Sequence, residues 1–251
     1  MKKNYSINYD MKLKEIDIYK KFEILIPFIG ENYNSSKQKI LFIGESHFLP
    51  KESYKENSLK DLSEWYKNNQ DYYNFEGNAK PCLNTRNIIN NDVINLDFQN
   101  PSHSIYRNLG NVYADFFKLN GYKESLPNVA FYNYFLRPAE VEGGSIMNTK
   151  EDDIFSFNHL IQIDATLKPD AIIFASKKAR QAFHRVRWSS EFRVKGEVLE
   201  EKIFYVPHPG NAWWNKEFKI AKNGFWNSKI IPFPANKING KNKLKLILES
   251  L

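Results

Sequence analysis

The sequence predicts an α/β protein, a three-layer α/β/α sandwich around a mainly parallel central sheet. Three observations lead there. Apolar runs of strand length recur without polar alternation (Ile40–Ile43, Val129–Tyr132, Ala171–Phe174 and Ile203–Val206), as in strands buried on both faces. Stretches with helical spacing lie between them, which is the order of a parallel sheet with crossover helices. The chain has 251 residues, 42% of them hydrophobic, enough for one domain with a sizeable core.

Taken in order, residues 1–38 predict a helix around Ile16 to Ile29, ending at Gly30. The first strand, Ile40-Leu41-Phe42-Ile43, stops at Gly44, where the backbone can turn sharply or admit a ligand. Residues 51–101 are polar and rich in Tyr, Asn and Lys, with short helical pieces at Leu59–Lys67 and Arg86–Leu96. A stretch this long reads as an insertion, a lid over the sheet edge. Its aromatics interleave with lysines (Trp65-Tyr66-Lys67, Tyr72-Tyr73, Phe75), which suits a nucleic-acid surface or a lid packed by its own rings. Ser102 is placed to cap a helix through Ile105, Leu109, Val112, Phe116 and Leu119, stopping at Gly121. A second buried strand lies within Asn128–Pro138, with Asn133 its polar residue.

Glu142-Gly143-Gly144-Ser145 reads as a flexible loop, and Thr149 as the cap of a helix over Glu151–Leu167 whose first turn is acidic. Pro169–Ser176 holds the third strand, followed by a helix over Lys177–Phe183. Residues Phe192–Val206 alternate as a hairpin or two edge strands would. They run into Pro207-His208-Pro209-Gly210-Asn211-Ala212-Trp213-Trp214, and a terminal helix near Lys243–Leu248 sits in a C-terminal extension, 225–251. We read 1–251 as a single domain.

Lys and Arg exceed Asp and Glu by 36 to 29, a net charge of +7, and the sequence pI is about 9.2. That balance suits a polyanionic partner, nucleic acid before membrane. One cysteine, Cys82, excludes an intrachain disulfide and any multi-cysteine zinc or iron–sulfur site. The absence of a long apolar run or an apolar leader predicts a soluble, cytoplasmic protein with no membrane partner, and no metal or other cofactor is expected.

Three strand ends carry distinctive polar groups: Glu45-Ser46-His47, Asn133 and His208. Ligands of open α/β sheets bind beyond the carboxyl ends of the strands. His208 is flanked by prolines that fix its backbone, and two tryptophans follow it. Asn133 offers a donor beside an acceptor, which matches the edge of a pyrimidine ring.

These pieces, in this order, resemble the uracil-DNA glycosylase superfamily. There a first strand ends in a motif such as GQDPY or GEAPG, a middle strand carries a base-reading asparagine, and a late loop carries HPS. This chain has Gly44-Glu45-Ser46-His47-Phe48, Tyr132-Asn133 with Arg137-Pro138, and His208-Pro209-Gly210. The resemblance spans about Ile40 to Asn215, and its specificity lies in the order of short motifs. It implies a monofunctional DNA glycosylase that hydrolyses the N-glycosidic bond of a flipped pyrimidine. Glu45 and His208 would be catalytic. Gly44, Ser46, His47, Phe48 and Asn133 would bind the base, and Arg137, Asn211, Trp213 and Trp214 would contact DNA, with Ala212 or a tryptophan filling the vacated space.

The departures are specific. Ser46 stands where the best-known branch has its aspartate, His47 where it has proline, Phe48 where it has tyrosine, and Gly210 replaces the serine of HPS. Glu45 matches the glutamate of the GEAPG branch, whose iron–sulfur cluster a single cysteine cannot hold. The altered first motif and the long insertion suit uracil or a bulkier modified cytosine, such as the hydroxymethylated or glucosylated bases of phage DNA; the second substrate would make the protein a phage-defence enzyme. Two rival readings remain. One is a glycosylase fold retained only for binding nucleic acid. The other is a serine esterase of the SGNH type, from strand-Gly-Glu-Ser, although the residues three before each histidine (Gly44, Asn100, Ser156, Gln181, Tyr205) are not acidic.

Overall fold

The computed structural model describes residues 1–47, 66, 79–140, 144–219 and 237–251. Phe48, the Leu59–Lys67 helix apart from Tyr66, and most of the 51–101 insertion lie outside the described residues.

Continuous apolar runs form the strands, because each strand must satisfy a hydrophobic layer on both sides. The main sheet holds β1 (Phe28–Ile29), β2 (Ile40–Gly44), β3 (Ala130–Asn133), β4 (Ala171–Phe174) and β5 (Ile203–Tyr205), in the order β1-β3-β2-β4-β5. β2 to β5 are parallel, and β1 pairs antiparallel with β3. A separate ribbon pairs β6 (Phe218–Lys219) with β7 (Lys237–Ile238). The longer helices are α1 (Ser104–Phe117), α2 (Lys150–Leu167), α3 (Lys177–Arg187), α4 (Arg193–Glu200) and α5 (Gly240–Ser250).

Alternate residues of each strand feed two cores. Leu41, Ile43, Tyr132, Ile172 and Phe174 pack with α2, α3 and α4 on one face. Ile40, Phe42, Phe131, Ile173 and Phe204 pack with α1 and α5 on the other. The C-terminal helix is therefore part of a layer: Leu244, Ile247 and Leu248 are buried in the second core.

Two expectations are corrected. Ile16–Ile29 is not one helix but a short helix at Asp17–Lys21, a 3₁₀ turn at Glu23–Leu25 and β1. Ile26 precedes Pro27 and is extended (φ −55°, ψ 133°), as a residue before proline is driven to be. Phe192–Val206 contains no hairpin: Arg193–Glu200 is helical, and only Ile203–Tyr205 is a strand. The alternating Val194 and Val198 stay exposed, whereas Gly196 and Leu199 face inward. A β-carbon at Gly196 would fall 2.6 Å from Cβ of Arg187, so the glycine lets α4 approach α3.

Candidate active site

The polar groups at the strand ends collect on one rim of the sheet. β2 and β3 run in register with Gly44 opposite Asn133, and the pairing persists beyond them. The Phe135 N–H donates to the Glu45 carbonyl (2.9 Å) and the Ala139 N–H to the His47 carbonyl (2.8 Å). Glu45, Ser46 and His47 are thus laid against residues 134–139 rather than left in a free loop. By strand parity Gly44 and Asn133 share the face of Phe131, whose ring meets Tyr106 edge-on at 4.8 Å. A β-carbon at position 44 would collide with Asn133 Oδ1 and approach Phe131 Cζ to 3.0 Å, so only glycine lets the carboxamide lie there.

Glu45 is held from three sides. One carboxylate oxygen accepts from Ser145 Oγ and from the Ile146 N–H (3.3 Å), and the other from Ser176 Oγ at 2.7 Å. Ser176 lies just past β4 and also accepts the Ala179 N–H as the cap of α3. Lys178 donates to the Ile146 carbonyl, tying the same loop to α3.

His208 is partly buried, and its Nδ1 accepts the Gly210 N–H at 3.0 Å. Burial lowers its pKa, against which the nearby Glu45 carboxylate pulls. The ring is therefore neutral at pH 7, with its proton on Nε2. The loop is braced by Asn108 Nδ2 donating to the Pro209 carbonyl (2.9 Å) and by Ser104 at the start of α1, whose Oγ lies 3.2 Å from where a Gly210 β-carbon would be.

His47 is buried, and its Nδ1 lies 3.4 Å from Asn133 Nδ2. Burial lowers its pKa to about 4, with the Cys82 backbone opposing the shift. Ser46 is partly exposed beside them.

The proposed DNA contacts divide. Asn211 is exposed, its N–H bonded to the His208 carbonyl at 2.9 Å, and Trp213, 53% exposed, meets Phe218 edge-on. Trp214 is a correction: it is fully buried in the core against Gly240 of α5. Arg137 is another. Its guanidinium is wholly buried and bidentate to Asp152 (2.7 and 2.8 Å), with Glu140 Oε1 at 2.6 Å, so it cannot reach a phosphate. Sequence reasoning missed Ser145 and Ser176. In the sequence Ser145 falls in the Glu142–Ser145 loop and Ser176 at the end of the third strand stretch, but nothing local joins either to Glu45.

Two hollows lie away from this rim. One of about 250 Å³ is lined by Tyr5, Asn84, Arg86 and Asn90 among others. One of about 430 Å³ lies between Ile16–Ile18 and α2, where it meets Phe155 and His159. Among the described residues no cluster of three His, Cys, Asp or Glu could hold a metal ion, and no helix is long and apolar enough to cross a membrane. Comparison with protein-family models, curated proteins and solved structures finds no match to this chain.

Proposed function

We propose that the protein is a DNA glycosylase that hydrolyses the N-glycosidic bond of a flipped pyrimidine and leaves an abasic site. The observation that carries this reading is the pairing of a fixed carboxylate and a neutral imidazole, Glu45 and His208, on the rim where Asn133 presents a carboxamide. The order of the three motifs along the chain supports it.

A base inside a duplex hides its glycosidic bond, so it must first rotate out of the stack. The C1′–N bond then breaks with its electron pair passing to the base, leaving positive charge on the sugar. The His208 Nε2–H donates to the ring as negative charge develops on it. Removing one such donor costs roughly 10²–10³ in rate. Glu45, its oxygens already fixed by Ser145, Ile146 and Ser176, faces the oxocarbenium-like sugar and orients water. Water gives its hydroxyl to C1′ and its proton to the departing base. Asn133 reads the ring edge, while Asn211 and Trp213 meet the flanking strand. The excess of basic residues supplies salt-sensitive attraction to phosphate. The substrate is uracil or a modified cytosine, and the second would give the protein a role against phage.

The test is a mass-spectrometric screen for free bases released from uracil-containing DNA and from phage DNA with modified cytosines, with alkali cleavage reporting abasic sites. Release of a pyrimidine supports the reading. DNA binding without release supports the non-catalytic binder, and ester hydrolysis the esterase.

A further inference from the structure

We propose that His47 is a positioning residue for the Asn133 carboxamide: it fixes which amide atom lies over Gly44, and thereby which hydrogen-bonding edge of a base the site accepts. The proposal deepens the glycosylase reading and rests on it.

Both side chains are buried, so each polar atom is under pressure to find a partner. They meet through Asn133 Nδ2 and His47 Nδ1, 3.4 Å apart. A buried imidazole with its pKa lowered to about 4 is neutral, with one N–H and one bare lone pair. Nδ1 faces the Asn133 amide nitrogen, which has only hydrogens to offer, so the ring N–H is the Nε2 one. The Cys82 backbone interaction, which favours the protonated ring, is consistent with an acceptor for it. Nδ1 is left as the lone pair, and only a donor satisfies it.

An amide has one end of each kind. With Nδ2 turned to His47, Oδ1 is the atom left over Gly44, where the missing β-carbon makes its room. The spacing of the two side chains is set by the backbone: His47 pairs with Pro138 and accepts from Ala139, on the segment that continues the strand carrying Asn133. A leucine at position 47 would fill comparable space but provide no lone pair.

The consequence is directional. The site offers an acceptor on the Gly44 side and, from the second amide hydrogen, a donor on the His47 side. Uracil-type rings present a ring N–H beside a carbonyl, and cytosine-type rings an amino group beside a bare ring nitrogen. In a fixed pose the donor–acceptor order along these two edges is opposite. Turning the amide over would exchange the two preferences, so His47 makes a symmetric-looking carboxamide into a directional reader.

The experiment compares kcat/KM of wild type, His47→Gln and His47→Leu on two DNAs that differ only in the target base, uracil or cytosine carrying the same 5-substituent. Wild type should favour one edge by roughly ten- to a hundredfold. His47→Leu should bring that ratio close to one. His47→Gln should restore it, because its amide can donate to Cys82 while its carbonyl accepts from Asn133. Thermal melting establishes that each variant folds, and His47→Met takes the place of the leucine if that variant does not. An unchanged ratio in the apolar variant, or equal losses on both bases, would overturn the proposal while leaving the glycosylase reading intact. Release of neither base by wild type would remove both.

Discussion

Gly44 and Asn133 stand opposite one another in the β2–β3 ladder, and the absence of a side chain at 44 creates the space in which the Asn133 carboxamide lies. On the proposed function, strand geometry and base recognition are thereby tied to a single position. Gly44→Ala should leave the sheet intact, since the atom met first is the tip of a side chain. The Asn133 carboxamide is displaced instead, and if it reads the base as proposed, misplacing it by about 1 Å can cost about 10² in rate. Steady-state kinetics beside a thermal melt check this: kcat/KM should fall by about that factor with a small change in Tm.

Glu45 and the hydroxyls that grip it make separable predictions. Glu45→Gln should lower base release about 10²- to 10⁴-fold, the usual range for a positioned acid or base, with the fold preserved. Ser176→Ala frees one carboxylate oxygen and removes the α3 cap, so it should lose activity and about 1 kcal/mol of stability together. Single-turnover rates and chemical denaturation of both variants distinguish the two outcomes.

His208 predicts the shape of the acid limb. Its Nδ1 must accept the Gly210 N–H, and protonation would set two donors face to face. Burial lowers the pKa, so the neutral, correctly held ring persists below the ordinary histidine value of 6.5 and is lost as pH falls through the lowered one. Activity should therefore be flat at pH 7 and decline only below about 6.5. His208→Ala should lose roughly 10²–10³ in rate and abolish that limb. A limb centred above 6.5 in wild type would contradict this assignment.

Arg137 should matter for stability. Arg137→Met leaves Asp152 wholly buried and unpaired in the first turn of α2, beside Glu140. Removing one partner of a buried pair costs about 3–5 kcal/mol. Equilibrium unfolding in urea measures the loss, and a cost below about 1 kcal/mol would show that the carboxylates find other partners.

What could be read in the sequence follows from how local its physics is. Ile40–Gly44 and Ala171–Phe174 are apolar throughout, because parallel strands are covered on both faces, and they stand out without any tertiary information. The Thr149 cap was equally local, and it forms a full capping box with Asp152. Gly121 misplaced the end of α1, since Lys118 takes the left-handed conformation (φ 58°) that closes the helix. The cap was misplaced as well: Ser102 bonds Asn100 in a preceding 3₁₀ turn, and His103 holds the N-cap position without a side-chain bond.

At the site, Glu45, Asn133 and His208 were visible as polar groups at strand ends, whereas their supports came from distant segments. Ser176 is 131 residues from Glu45, and nothing short of the sheet order β2-β4 places them together. Arg137 and Trp214 misled for one reason: a charge or a large ring in a loop suggests solvent until its buried partner, Asp152 or the α5 packing, is known.

The most direct test of the central claim follows free base and abasic sites together, in one assay, for wild type, Glu45→Gln, Asn133→Leu and His208→Ala on DNA bearing the released pyrimidine. Wild type should yield base and abasic site in equal amounts, and each variant should be slowed at least about 10²-fold with the fold retained. Equal rates in all four proteins, or no base from wild type on any pyrimidine-modified DNA, would contradict it.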